Sequence, residues 1–89
     1  MTAQRVTVVN ELGIHARAAA SFVRLAARFE SRVSVERRGR EMDGKSIMGI
    51  LLLAAARGTT ITIAAEGADE TDAVRELTAL VERGFEEAM

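Results

Sequence analysis

Apolar and polar positions alternate at the start of the chain. Gln4-Arg5-Val6-Thr7-Val8-Val9 is β-branched, with Val6 and Val8 on one face, and predicts a first strand. Asn10-Glu11-Leu12-Gly13 reads as a turn, because Asn and Gly tolerate unusual backbone angles. From Ala16 to Phe29 the spacing changes to that of a helix. Ala19, Phe22, Val23, Ala26 and Phe29 form an apolar stripe, and Arg17, Ser21, Arg24 and Arg28 form a basic one opposite it. Arg32–Arg37 alternates again as a half-exposed strand, Arg38-Gly39 is a tight turn, and Arg40–Asp43 a short antiparallel return. Ile47 to Ala56 predicts a helix capped by Ser46 and stopped by Arg57-Gly58. Ile50, Leu53 and Ala54 of that helix can face a sheet together. Thr59–Glu66 is a cleanly alternating strand, and Gly67-Ala68-Asp69 a turn and cap. Glu70 to Phe85 predicts a last amphipathic helix with Ala73, Leu77, Leu80, Val81 and Gly84 inward.

The resulting order is β-α-β-β-α-β-α, with short loops and neither linker nor repeat. It argues for one α+β domain over residues 1–89, a four-stranded antiparallel sheet with three helices packed on one face. Thr7, Ser34, Glu36, Thr60 and Thr62 predict an open, polar second face. Composition narrows the options. The 48% hydrophobic fraction contains only three aromatic residues, all Phe, so the core must be Ala, Val, Ile and Leu. A formal net charge of −1 gives no global field to attract nucleic acid. RNA-binding sheets of this order stack bases on exposed aromatics, whereas Phe22, Phe29 and Phe85 all fall on predicted helices. Without cysteine, disulfides and thiol catalysis are excluded. One histidine with no clustered second ligand offers no metal site, and no cofactor is implied. The longest apolar run, Ile50–Ala56, is far short of the ~20 residues that span a bilayer, and the N-terminus lacks a signal-peptide core. A cytoplasmic location is expected.

The candidate chemistry lies at the first strand-to-helix junction, in Gly13-Ile14-His15-Ala16-Arg17-Ala18-Ala19-Ala20. His15 is the only histidine. The first amides of a helix have no intrahelical partner and carry partial positive charge, which makes a ready anion site around Ala16 and Arg17. Arg17 adds the side chain best matched to phosphate oxygens. Ala16, Ala18 and Ala19 are small, which predicts an unshielded helix end. A neutral ring nitrogen is nucleophilic, and a protonated one is not. No second acid or base is required, because phosphoryl transfer rests on positioning and charge stabilisation.

This stretch resembles the active-site signature of HPr, the histidine-containing phosphocarrier family of the bacterial phosphoenolpyruvate-dependent sugar phosphotransferase system. Lys45-Ser46-Ile47-Met48-Gly49-Ile50-Leu51 is similar to the family's second signature, around its regulatory serine. The resemblance covers the whole chain and implies an HPr-like open-faced β-sandwich acting as a monomer. It implies that Nδ1 of His15 accepts a phosphoryl group from phosphorylated enzyme I and passes it to EIIA-type sugar-specific or regulatory acceptors. Arg17 would coordinate the phosphate. The protein would thus be a phosphoryl-transfer carrier rather than an independent catalyst. One departure is Ala18, where the family most often has proline; alanine still suits a helix.

Ser46 is predicted as a helix N-cap, and the resemblance adds a role as the target of an HPr kinase/phosphorylase. The helix after it has too many apolar residues for one buried stripe. Ile47, Met48 and Leu51 are expected on an adjacent face, with Gly49 keeping its centre open. With Ala20, Arg24 and Arg28 they would form an apolar centre with a basic edge, suited to acidic protein partners. The family docks partners in this region. An alternative within the family is a regulatory or nitrogen-branch paralogue that does not serve sugar uptake.

Overall fold

The computed structural model describes residues 1–86. Its elements are β1 (Thr2–Thr7), α1 (Ala16–Ala26), β2 (Arg32–Arg37), β3 (Arg40–Asp43), α2 (Ile47–Leu52), β4 (Thr60–Glu66) and α3 (Glu70–Glu82), followed by a short 3-10 turn, Gly84–Glu86. The four strands form one antiparallel sheet in the order β1-β4-β2-β3. This is the expected α+β arrangement. Strand alternation sends Val6, Val33, Val35, Ile61, Ile63 and Ala65 into the core, where they meet Phe22, Ile50, Leu53, Leu77 and Val81 from the helices. On the other face the pairings Thr7↔Thr60, Arg5↔Thr62↔Glu36 and Ala64↔Ser34↔Asp43 leave polar and small side chains outward. No helix among the described residues is long and apolar enough to cross a membrane.

The hairpin joining β2 and β3 follows its sequence directly. Arg38 and Gly39 both have positive φ, 52° and 83°, as a two-residue I′ turn requires. All three helices, however, end earlier than their periodicity predicts. α1 stops at Ala26, not Phe29: the amides of Arg28 and Phe29 turn to Leu25 and Ala26 in tighter bonds, and Phe29 is half-buried beyond the helix. α2 stops at Leu52, not Ala56. Arg37 Nη1 donates to Leu53 O at 2.9 Å across its end, and Ala54 turns left-handed at φ 51° and points outward, not toward the sheet. α3 stops at Glu82, and Gly84, at φ 68°, takes the chain into the left-handed turn that buries Phe85. The first strand is likewise displaced: β1 ends at Thr7, and Val9 is exposed.

Asp69 occupies the N-cap position of α3, but its side chain makes no capping bond. Its carboxylate instead accepts from Ser31 Oγ and from the amides of Glu30 and Ser31, tying the α1–β2 loop to the start of α3. Those donors, the Ser31 hydroxyl first, hold its pKa down to about 2. Next to it, Glu70 accepts from Thr2 Oγ1 at 2.7 Å and from the Gly67 amide, and pairs with the N-terminal ammonium at 3.1 Å. The Thr2 bond is the leading cause of its fall, also to about 2. In the unfolded chain these carboxyls titrate near their ordinary 3.8 and 4.5. Both groups therefore bind protons more readily unfolded than folded, so their stabilisation is complete above about pH 5 and is lost as pH falls toward about 2. The thermal midpoint is expected to drop across that window. In an Asp69→Asn, Glu70→Gln variant it should start lower at neutral pH and fall less steeply. Equal slopes in the two proteins would refute this assignment.

Candidate phosphoryl-transfer site

The loop between β1 and α1 is fixed by local and distant bonds. Asn10 accepts the Gly13 amide on its backbone carbonyl at 3.1 Å, and its side-chain Nδ2 donates back to Gly13 O at 2.7 Å. Gly13 sits at φ +67°, where it packs so closely on the chain after α2 that a Cβ would lie 2.7 Å from Ala55 O and 2.9 Å from Ala56 Cα. The next amide, of Ile14, donates to that same Ala55 O at 2.9 Å. The chain has left α2 before Ala55, whose carbonyl thus faces the loop and not the helix axis.

His15 then begins α1. Its backbone is extended (φ −90°, ψ −176°), its carbonyl takes the Ala19 amide at 2.8 Å, and its Nδ1 accepts the Arg17 amide at 3.2 Å. Accepting that bond requires a lone pair on Nδ1, so in the neutral ring the hydrogen is on Nε2. The imidazole is therefore the N-cap, with Nδ1 aimed at the first turn of the helix. Ala16 and Arg17 lie at the surface. Ala18 and Ala19 do not: they are buried against the core, so small side chains are needed there for packing, not for leaving the helix end open. α1 forms with Ala18 in its first turn, without a proline. Among the described residues, no group of three or more His, Cys, Asp or Glu side chains could hold a metal ion.

A family model described as the PTS HPr component phosphorylation site matches residues 2–83. The chain belongs to the HPr family. Phosphocarrier protein HPr of Cupriavidus necator is 45% identical over 87 residues, 98% of each chain. HPr-C-His from Thermoanaerobacter tengcongensis, a solved structure, superposes with a TM-score of 0.95 at 38% identity and covers 100% of both chains. The catabolite-repression protein Crh of Bacillus subtilis, solved as a dimer, gives 0.77 at 43% identity over 94% of this chain and 97% of its own. Membership places the protein among the phosphocarriers of the phosphotransferase system.

The second HPr signature takes up the predicted cap. Ser46 Oγ accepts the Gly49 amide at 3.0 Å, and the Ser46 carbonyl takes the Ile50 amide. A Cβ on Gly49 would lie 3.3 Å from Asp43 O and 3.4 Å from Ser46 Oγ, so this glycine makes room for the cap, not for an opening in the apolar face. Of the apolar residues expected outward, Ile47 and Met48 are exposed, Met48 at 66%. Leu51, expected outward with them, is half-buried against the core, and Leu52 is exposed in its place. Arg24 and Arg28 are exposed and Ala20 is half-buried. Sequence reasoning missed Leu12, which is 74% exposed in the loop that carries His15. A leucine at a turn centre, between a polar residue and a glycine, was the available signal. It also missed the Ala55 carbonyl and the Asn10 side chain, whose contacts are long-range or internal to the loop.

Proposed function

We propose that Nδ1 of His15 is the atom that accepts and gives up the phosphoryl group, with phosphorylated enzyme I as donor and EIIA-type or regulatory proteins as acceptors. The observation that carries this reading is the Nδ1 lone pair held at the N-terminus of α1 by the Arg17 amide. In the transfer, a bond forms between Nδ1 and phosphorus while the bond from phosphorus to the donor's carrying atom breaks. The hydrogen on Nε2 stays on the ring. The Arg17 amide, released from Nδ1 as the new bond forms, then faces the phosphoryl oxygens together with the Ala16 amide and the Arg17 guanidinium. The return step is the same exchange in reverse, onto the acceptor.

Partners would dock on the surface of α1 and α2, where Ile47, Met48 and Leu52 are apolar and Arg24 and Arg28 supply positive charge, with Ala20 and Leu51 beneath. We place the protein in the cytoplasm as a working monomer, where such partners act. Mixed with enzyme I and phosphoenolpyruvate, the protein is expected to form an acid-labile, base-stable phosphohistidine. His15→Ala should take up no label while keeping its thermal midpoint within a few degrees; label on that variant would sink the assignment.

Ser46 fits a regulatory role. A phosphate there would sit at the start of α2 and add roughly −1.5 to −2 charge beside the docking face, opposing acidic partners. An HPr kinase/phosphorylase is the matching partner. Ser46→Asp should accept phosphoryl groups from enzyme I more slowly than Ser46→Ala, and equal rates would remove the charge argument. The likeness to Crh, a catabolite-repression protein, favours a second reading, a regulatory paralogue that does not serve sugar uptake.

A further inference from the structure

Asn10 is fully buried, yet it is polar and lies outside the family signature that begins at Gly13. Burying an amide is unfavourable unless its bonds are made, so its place needs a reason. The left-handed turn after α3 packs over it: a Cβ on Gly84 would be 3.5 Å from Asn10 Cβ and 3.9 Å from Val9 Cγ2. From that anchored position Asn10 closes the loop twice, through its carbonyl to the Gly13 amide and through Nδ2 to Gly13 O. Gly13 O receives a second donor, the His15 amide, at 3.1 Å. Asn10 Nδ2 and His15 N–H therefore share one acceptor. Whatever fixes that carbonyl fixes the peptide that leads into His15.

We propose that Asn10 is a positioning residue for the phosphoryl transfer, acting through the Gly13 carbonyl to hold the His15 backbone where Nδ1 meets the first turn of α1. The inference rests on the reading of His15 as the phosphoryl acceptor. The Ala55 carbonyl steadies the loop from one side through the Ile14 amide, and Asn10 steadies it from the other. Losing one of these braces lets the peptide plane at Gly13 rotate. The ring then samples positions off the line of attack, and a misplacement of about 1 Å is worth on the order of 100-fold in rate. Partner docking on α1 and α2 is untouched.

The test measures transfer from phosphorylated enzyme I, in the cold, for Asn10→Ala and for Asn10→Leu. The second variant keeps a side chain of similar volume under the α3 turn but has no donor. For both, kcat is expected to fall about 10- to 100-fold with KM for the carrier unchanged. A purely structural role gives the opposite split, because a partly unfolded carrier is simply more dilute: KM rises with the unfolded fraction and kcat stays. Wild-type kcat in either folded variant, or a loss confined to KM, overturns the proposal. His15→Ala is run alongside. Label on that variant would overturn the acceptor assignment itself, whereas no label there together with full kcat in the Asn10 variants would overturn only the role of Asn10.

Discussion

Replacing Gly13 by alanine is expected to destabilise the fold by roughly 2–4 kcal/mol, the sum of a left-handed backbone cost and a steric one. At φ +67° an L-residue is disfavoured by about 1–2 kcal/mol before any contact is considered. The added Cβ would then press on Ala55 O at 2.7 Å and Ala56 Cα at 2.9 Å, both backbone atoms that cannot swing aside as a side chain can. Relief requires the loop and the post-α2 segment to separate, which breaks the bond from Ile14 N to Ala55 O. For a domain of this size the loss corresponds to a fall in Tm on the order of 10–20 °C. Gly39→Ala is the internal control. Gly39 also has positive φ, 83°, but nothing lies within 4 Å of its Cβ position, so only the backbone cost of about 1 kcal/mol applies. Thermal or urea unfolding of the two variants separates the contributions; equal losses would show that the contact with Ala55 carries no weight.

Arg17→Ala is expected to slow phosphoryl acceptance by about 10- to 100-fold, below the ~10²–10³ typical of a buried charge-stabilising donor. The discount follows from position: Arg17 is exposed, so water already screens its guanidinium. Its backbone amide, which holds Nδ1, survives the substitution, so the ring orientation should persist. Arg17→Lys keeps the charge but loses the planar fork and should fall between the two. Single-turnover rates from phosphorylated enzyme I check the ranking. An alanine variant as fast as the parent would confine the stabilisation to the helix amides.

Strands and turns were the legible part of this chain. β2 and β3 fall where the alternation puts them, because a two-residue turn with Gly39 leaves one register for the hairpin. The Ser46 cap was also legible, since capping is decided within three residues. Helix ends were not. Ala54 terminates α2 in a conformation that alanine does not advertise, and the Ala55 carbonyl beyond it accepts the Ile14 amide of a loop far away in sequence. Gly84, counted among the inward residues of α3, is buried as expected but lies past the end of the helix, where it is the stop. At the site the same division holds. His15 and Arg17 are local and could be read as candidates; the contacts beneath them, from Asn10 and the Ala55 carbonyl, depend on the folded structure.

If Nδ1 of His15, the atom bonded to the Arg17 amide, is the phosphoryl acceptor, combined 31P and 15N NMR of the protein phosphorylated by enzyme I and phosphoenolpyruvate should find a single phosphorus coupled to that nitrogen. The Arg17 amide should shift strongly as its bond passes from the ring to a phosphoryl oxygen. Phosphorus on Nε2, or on any other residue, would rule out Nδ1 as the acceptor.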